Sequence, residues 1–250
     1  MHKEKQKTRL PVTEAVILCG GSGSRLGAIG LNCPKCLLRV TDRPLLFEHL
    51  SLFSAYGVTD AYLTTGVMAS RIQAAVRTEC LSLRAHFVHA NGTGTGGALL
   101  RAQAELPKNV NKYWVSMGDI VCRPDLGTMY KKMLDLDIQA VILGVHVPNS
   151  SQYGMLVTDE KGILIDFREK QSSGGPGLVD AGFYLFTRDF LSEFEHRRKL
   201  SLEYEVFPNV GRVAVVRHTG IWHDIGSIWR LREARRDFTQ SNKQKENKCV

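Results

Sequence analysis

Glu14-Ala15-Val16-Ile17-Leu18-Cys19 runs straight into Gly20-Gly21-Ser22-Gly23-Ser24-Arg25-Leu26, and this junction decides how the rest of the chain is read. The first stretch is nearly all apolar and strand-sized, the pattern of a strand covered by helices on both faces. The glycines behind it free the backbone to curl, so that successive N–H groups can converge on an anion. A strand that empties into such a loop opens a βαβ unit, and the following sequence keeps that rhythm. Pro44–Tyr56 predicts a helix, with Leu46, Leu50 and Phe53 on one stripe and Gly57 as its stop. Ala61–Thr65, Ala85–His89, Tyr113–Met117 and Gln139–Val145 predict strands. Helices are predicted between them over Ser70–Cys80, Ala98–Leu106 and Asp125–Leu134, the second opened by a glycine-rich loop, Asn91–Gly97.

After residue 150 the rhythm changes. Met155–Thr158 and Ile163–Phe167 flank Asp159-Glu160-Lys161-Gly162, a turn signal for a hairpin. Residues 172–177 predict a mobile loop. Val179–Phe186, Val213–His218 and Trp222-His223-Asp224 predict strands, and Ser227–Phe238 a closing amphipathic helix. The expected fold is α/β and Rossmann-like. It has a doubly wound, mixed but mostly parallel sheet and a small substrate subdomain containing the hairpin. The expected organisation is a flexible basic tail over 1–12, one domain over 13–238 and a second flexible tail over 239–250. Within the domain, about 13–145 forms the nucleotide-binding half and about 146–238 the substrate-shaping half. Ligands of open α/β sheets sit beyond the carboxyl ends of the strands, which directs attention to the residues after Cys19, His89 and Met117.

The 250 residues are 43% hydrophobic and 23% charged, which excludes a disordered chain, a collagen-like repeat or a disulfide-stapled mini-protein. No apolar run approaches the roughly 20 residues of a membrane helix, and no secretory leader is evident, so a soluble, cytoplasmic protein is expected. The net charge of +8 is unevenly placed: residues 1–10 carry +3, residues 230–250 carry +4, and the body between them only +1. A nucleic-acid binder would show a basic stripe on its folded face, so no nucleic-acid partner is expected. Cys33-Pro34-Lys35-Cys36 has the C-x-x-C form, but a zinc site needs two more ligands, and neither His86/His89 nor His218/His223 makes a persuasive pair. Reduced thiols on a loop are expected.

Two familiar phosphate loops fail. No G-x-x-x-x-G-K-[ST] string occurs, and a dinucleotide fingerprint counted from Gly21 and Gly23 would need glycine where Leu26 stands. What remains is a glycine-rich loop carrying an arginine, followed by Pro34-Lys35. Gly-Gly-x-Gly-x-Arg-Leu after an initial strand, then Pro-Lys, resembles the sugar-1-phosphate nucleotidylyltransferases. Further stretches agree in order, from about residue 14 to 238. Gly94-Thr95-Gly96-Gly97-Ala98 looks like their second nucleotide loop, and Met117-Gly118-Asp119 like their metal-binding Gly-Asp. Glu169-Lys170 resembles their pair at the sugar phosphate, and Asp180-Ala181-Gly182 sits where Asn-x-Gly is usual. Trp222-His223-Asp224-Ile225-Gly226 looks like the closing Asp-x-Gly. The chain looks most like the compact heptose- and mannose-1-phosphate guanylyltransferases.

The resemblance implies transfer of a nucleoside monophosphate from an NTP, with GTP the expected donor, to a heptose or hexose 1-phosphate, giving an NDP-sugar and pyrophosphate. It assigns Arg25 to the triphosphate and Lys35 to the α-phosphate. Leu18, Gly20, Gly21, Gly23, Ser24, Asn91, Thr95, Gly96 and Gly118 fall to the nucleotide; Gly154, Glu169, Lys170, Asp180 and Gly182 to the sugar phosphate. Asp119 and Asp224 fall to Mg²⁺, which should bring them side by side once the chain folds. Each has a plainer reading: Asp119 as a turn former, Asp224 as a helix cap, Lys170 as a solvated charge, Asp180 as a partner of nearby backbone. Phe183, Tyr184 and Phe186 read as core. Three positions depart from the family pattern: Cys36 stands for proline, Asn91 for an acid or glutamine near the base, and Asp180 for asparagine. The rivals are a cytidylyl- or uridylyltransferase acting on another sugar or cyclitol phosphate, and a catalytically silent regulatory member. Homo-oligomerisation is left open.

Overall fold

The computed structural model describes residues 8–21, 23–170, 174–209 and 211–246, with the side chains of Ser24 and of residues 239–246 outside the description. The first seven residues of the expected basic tail, Gln171, Ser172 and Ser173 (the last two from the expected loop), and residues 247–250 lie outside the described residues. In chain order the elements are β1 (Glu14–Leu18), α1 (Ala28–Asn32), α2 (Leu45–Ala55), β2 (Asp60–Thr65), α3 (Ala69–Arg77) and β3 (Arg84–His89). Then come α4 (Gly94–Glu105), β4 (Lys112–Met117), β5 (Ile120–Cys122), α5 (Leu126–Leu136) and β6 (Ala140–Val147). The rest are β7 (Met155–Thr158), β8 (Leu164–Arg168), β9 (Gly177–Thr187), β10 (Val213–His218), β11 (Trp222–Asp224) and α6 (Ile228–Glu246).

Seven strands lie in the order β10-β6-β9-β4-β1-β2-β3, with the β7–β8 hairpin hanging from β9, and β5 pairs β11 in a separate two-stranded sheet. Along the main path, β1–β2, β1–β4, β2–β3 and β6–β10 are parallel, and β9 alone runs against its neighbours β4 and β6. The fold is therefore mixed and mostly parallel, as the alternating apolar runs imply. Alternation along β1 splits its side chains: Ala15 and Ile17 join the layer of α2, α3 and α5, and Val16 joins that of α4. From β1 the chain winds toward β2 and β3 on one side and reaches β4 on the other. This is a topological switch point, and the loop after β1 opens into its crevice. No helix among the described residues is long and apolar enough to cross a membrane.

Several boundaries move. The helix expected from Ala98 begins at Gly94, because Gly94, Gly96 and Gly97 leave room for the segment around Leu200. The helix expected to reach Cys80 ends at Arg77, where the Thr78 hydroxyl bonds the Ala75 carbonyl. The closing helix runs on from Phe238 to Glu246; no glycine or proline interrupts residues 227–246. The loop expected to be mobile is anchored in its second half, since the Gly175 carbonyl accepts from both the backbone and the hydroxyl of Ser150. Cys33 and Cys36 are free thiols, and Cys36 is buried within the Lys35–Leu37 turn.

Phe183, Tyr184 and Phe186 are core, as read. Phe186 stacks on Phe190 and Tyr184, with ring centroids 4.5 and 5.3 Å away. It also meets Tyr113 edge-on and Phe207. Phe186→Ala is expected to lower stability by about 3–5 kcal/mol, read as a shift of the urea midpoint. A loss below about 1 kcal/mol would deny this aromatic cluster its role in holding the 188–207 segment to the sheet.

Candidate active site

The loop after β1 turns through Gly23, whose φ of 67° suits glycine, and its carbonyl accepts from the Leu26 N–H at 2.9 Å. Gly30 of α1 packs so closely on Gly23 that a Cβ there would collide with the Gly23 carbonyl. This close approach holds the loop in a tight arch and carries Arg25 outward at its rim, exposed. Pro34 then leads into a single 3-10 turn, Lys35–Leu37, with Lys35 at its start.

Lys35 reaches across to Asp119, with Nζ 2.7 Å from Oδ2 and both side chains largely buried. Asp119 sits in the turn between β4 and β5, and the Gly118 N–H donates to the Leu18 carbonyl at the end of β1. Because β5 pairs with β11, Asp224 lies in register with Ile120, and the Ile225 N–H donates to the Asp119 carbonyl at 3.0 Å. The fold thus brings the two aspartates together. Burial raises the Asp224 carboxyl above its ordinary range, and the neighbouring Asp119 charge raises it further. Arg230 opposes this: its guanidinium pairs with Asp224 Oδ2 and stacks over Tyr153, 4.6 Å from the ring centroid. The other oxygen, Oδ1, accepts from the Gly226 N–H at 2.7 Å, a turn bond that ends short of α6, which begins at Ile228.

A cavity of about 300 Å³ opens beside this pair. Arg25, Asp119, Asp224, Gly154, Glu169, Lys170, Asp180 and Gly182 line it, together with Gln152, Tyr153, Tyr184, Glu203, Tyr204 and Trp222. Asp180 is partly buried in the cavity wall: Oδ1 accepts from the Gly182 N–H and Oδ2 from the Tyr184 hydroxyl, each at 2.8 Å. Burial, with smaller contributions from Glu203 and Glu169, pushes its carboxyl up to about 7. Gly182 has φ of 73°, and a Cβ there would run into Ile120 and Met117. Lys170 stands half-exposed, 3.6 Å from Glu169. Glu169 Oε2 is buried without a hydrogen-bond partner among the described residues.

The remaining sequence candidates do not line this cavity. Gly20 and Asn91 stand near Gly66, across the mouth of the β1 loop. Thr95 is committed elsewhere, its hydroxyl donating to Glu203 and accepting from the Leu202 N–H. Gly96 makes room for the Leu200 side chain. Sequence reasoning missed Arg230, Gln152, Glu203 and Tyr204. Only Arg230 leaves a local signal: an arginine in the first turn of a helix is disfavoured by the dipole and asks for a specific acid.

Among the described residues no group of three or more His, Cys, Asp or Glu could hold a metal ion. The donor set is therefore two hard carboxylates, close enough to repel. That suits Mg²⁺, which takes one or two carboxylates and completes its octahedron with water and phosphate oxygens. What the geometry offers is an acidic pair with Lys35 and Arg230 each paired to one aspartate and Arg25 on the cavity rim, opening into a pocket rich in hydrogen-bond acceptors.

A model of the nucleotidyl transferase family matches residues 14–241. Mannose-1-phosphate guanylyltransferase catalytic subunit beta of Drosophila melanogaster is 27% identical over 220 residues, covering 86% of this chain and 59% of that protein. Mannose-1-phosphate guanyltransferase of Aspergillus fumigatus is 30% identical over 224 residues, covering 85% and 60%. The chain thus spans about three-fifths of the length of the curated relatives it matches. The crystal structure of HddC from Yersinia pseudotuberculosis complexed with GMP-PN superposes with a TM-score of 0.78 at 25% identity, covering 91% of this chain and all of that one.

Proposed function

The chain belongs to the nucleotidyl transferase family, and from that premise we propose that it transfers GMP from GTP to a hexose or heptose 1-phosphate. The observation that carries this reading is the meeting of Asp119 and Asp224, each with its own cation, at the edge of an acceptor-lined cavity. In this reading residues 13–145 bind the nucleotide and 146–238 the sugar phosphate, in a cytoplasmic setting.

The reaction joins two polyanions. An oxygen of the sugar phosphate attacks the α-phosphorus in line with the departing pyrophosphate, so a P–O bond forms as the α–β bridge breaks. A phosphate monoester is already a nucleophile, and no general base is required. Positioning and charge neutralisation supply the catalysis. Arg25 would hold the triphosphate through its bidentate fork and retain the leaving pyrophosphate. Lys35 would turn from Asp119 to the α-phosphate as charge builds there. Mg²⁺ held by Asp119 and Asp224 would neutralise phosphate oxygens. Lys170 would meet the incoming phosphate. The unpartnered Glu169 oxygen and the Asp180 carboxyl would accept from sugar hydroxyls, satisfying an acceptor that burial otherwise leaves costly.

The test is pyrophosphate release from the four common NTPs, each paired with a panel of hexose and heptose 1-phosphates in Mg²⁺. Turnover confined to GTP with one acceptor is expected. Turnover with CTP or UTP instead would move the protein to the rival class, and none with any pairing would reject the activity.

Asp180 adds a pH dependence whose sign can be worked out. Its carboxyl is pushed up to about 7, so it gains negative charge as pH rises through neutrality. The charges acting on it are those of Glu203 and Glu169, and the cations Arg25 and Lys170, the carboxylates Asp119 and Asp224, and Tyr184 and Tyr204 line the same cavity. A new charge beside an anionic acceptor weakens its binding. The acceptor KM of the wild type should therefore climb from pH 6 to 8 by several-fold relative to Asp180→Asn, which holds no such charge. The acceptor's own ionisation cancels in that ratio. A ratio that stays flat with pH would show that Asp180 does not ionise against the substrate.

A further inference from the structure

Helix α2 carries a histidine that the proposed chemistry does not use. His49 is 1% exposed. Its Nε2 lies 2.7 Å from the Ile120 carbonyl and its Nδ1 2.9 Å from the Ser116 hydroxyl. A carbonyl can only accept, so Nε2 bears the proton and donates, and Nδ1 is left to accept from Ser116. The ring leans on Phe183, with centroids 5.1 Å apart. Burial pushes its pKa down to about 4, which keeps the ring neutral. Both nitrogens and one face are fixed.

Its two partners stand on either side of Asp119. Ser116 is near the end of β4, Ile120 is the first residue of β5, and the turn between them bears Gly118 and Asp119. The two strands belong to different sheets, so no common ladder sets the angle between them. The imidazole bridges them. Ile120 is also the register partner of Asp224. A single side chain thus braces the backbone that carries Asp119 and, through the Ile120–Asp224 pairing, the strand β11 on which Asp224 lies.

We propose that His49 is a positioning residue that sets the spacing of the Asp119 and Asp224 carboxylates for a divalent cation. This rests on the reading of the site as a nucleotidyl-transfer centre, and the experiment separates the two. Mn²⁺ alone is the probe, titrated into the full chain and followed by loss of its free EPR signal, with kcat and KM for GTP measured alongside. The proteins are the wild type, His49→Leu, His49→Gln and Ser116→Ala. Leucine fills the space and makes neither bond. Glutamine can accept from Ser116 and donate to Ile120.

His49→Leu is expected to bind Mn²⁺ about ten-fold more weakly and to lose a similar factor in kcat, the usual loss when a group that orients a ligand is removed. KM for GTP should change little, His49→Gln should recover most of both, and Ser116→Ala should fall between. A merely structural histidine would lower the melting temperature and leave Mn²⁺ affinity where it was; that result overturns the proposal. Should His49→Leu fail to fold, Ser116→Ala decides, and wild-type Mn²⁺ affinity in that variant overturns it equally. A wild type that binds no Mn²⁺ and releases no pyrophosphate would instead sink the reading of the site itself.

Discussion

Asp119→Asn should lower kcat by about 100-fold or more, the scale of losing one preorganised electrostatic group at the reacting phosphate. Two contributions combine. The variant loses one of the two carboxylates available to a divalent cation, and a neutral amide is a much poorer ligand for Mg²⁺. It also releases Lys35 from the ion pair that holds it at 2.7 Å, so the lysine enters the reaction less ordered. The fold should survive, because what ties the turn to β11 is the Asp119 backbone carbonyl, not its side chain. Circular dichroism and a melting curve close to wild type, beside the collapsed kcat, would confirm that division. Turnover within about three-fold of wild type would remove Asp119 from the chemistry.

Arg25→Ala is expected to cost a comparable factor, about 100-fold in kcat/KM for GTP, by removing a charge-assisted fork aimed at the leaving group. Arg25 is exposed on the rim of the β1 loop, and the arch beneath it is built from Gly23, Leu26 and Gly30. Stability should therefore be untouched, which makes this a cleaner test than a change at a buried residue. Arg25→Lys should recover only part of the loss, since a point charge replaces a planar fork. If both variants turn over like the wild type, the triphosphate is held elsewhere.

Much of the fold was legible because its evidence is local. β1, β6 and β9 are buried strands and read as largely apolar runs; the β7–β8 hairpin announced itself by its turn residues. Even so, the second glycine loop misled. Gly94, Gly96 and Gly97 fall within α4 and make room for the segment around Leu200, a contact between distant segments that loop chemistry cannot display. The short strands β5 and β11 make another case. Trp222-His223-Asp224 was read as a strand, yet its partner Ile120–Cys122 was not, because three residues carry too little periodicity to register.

The site divides in the same way. Glycine-rich turns, an arginine behind them and an aspartate ending a strand are signals set by the backbone they allow, and such signals travel with the sequence itself. Which side chains then meet is a matter of pairing register and burial. The β5–β11 ladder brings Asp119 and Asp224 together, and helix α6 delivers Arg230 to Asp224. Burial, not composition, leaves a Glu169 oxygen without a hydrogen-bond partner among the described residues and pushes the Asp180 carboxyl up to about 7. Local propensity is additive along a chain and can be read residue by residue. Charge in a low-dielectric pocket depends on every neighbour that excludes water from it, and only the folded molecule supplies those.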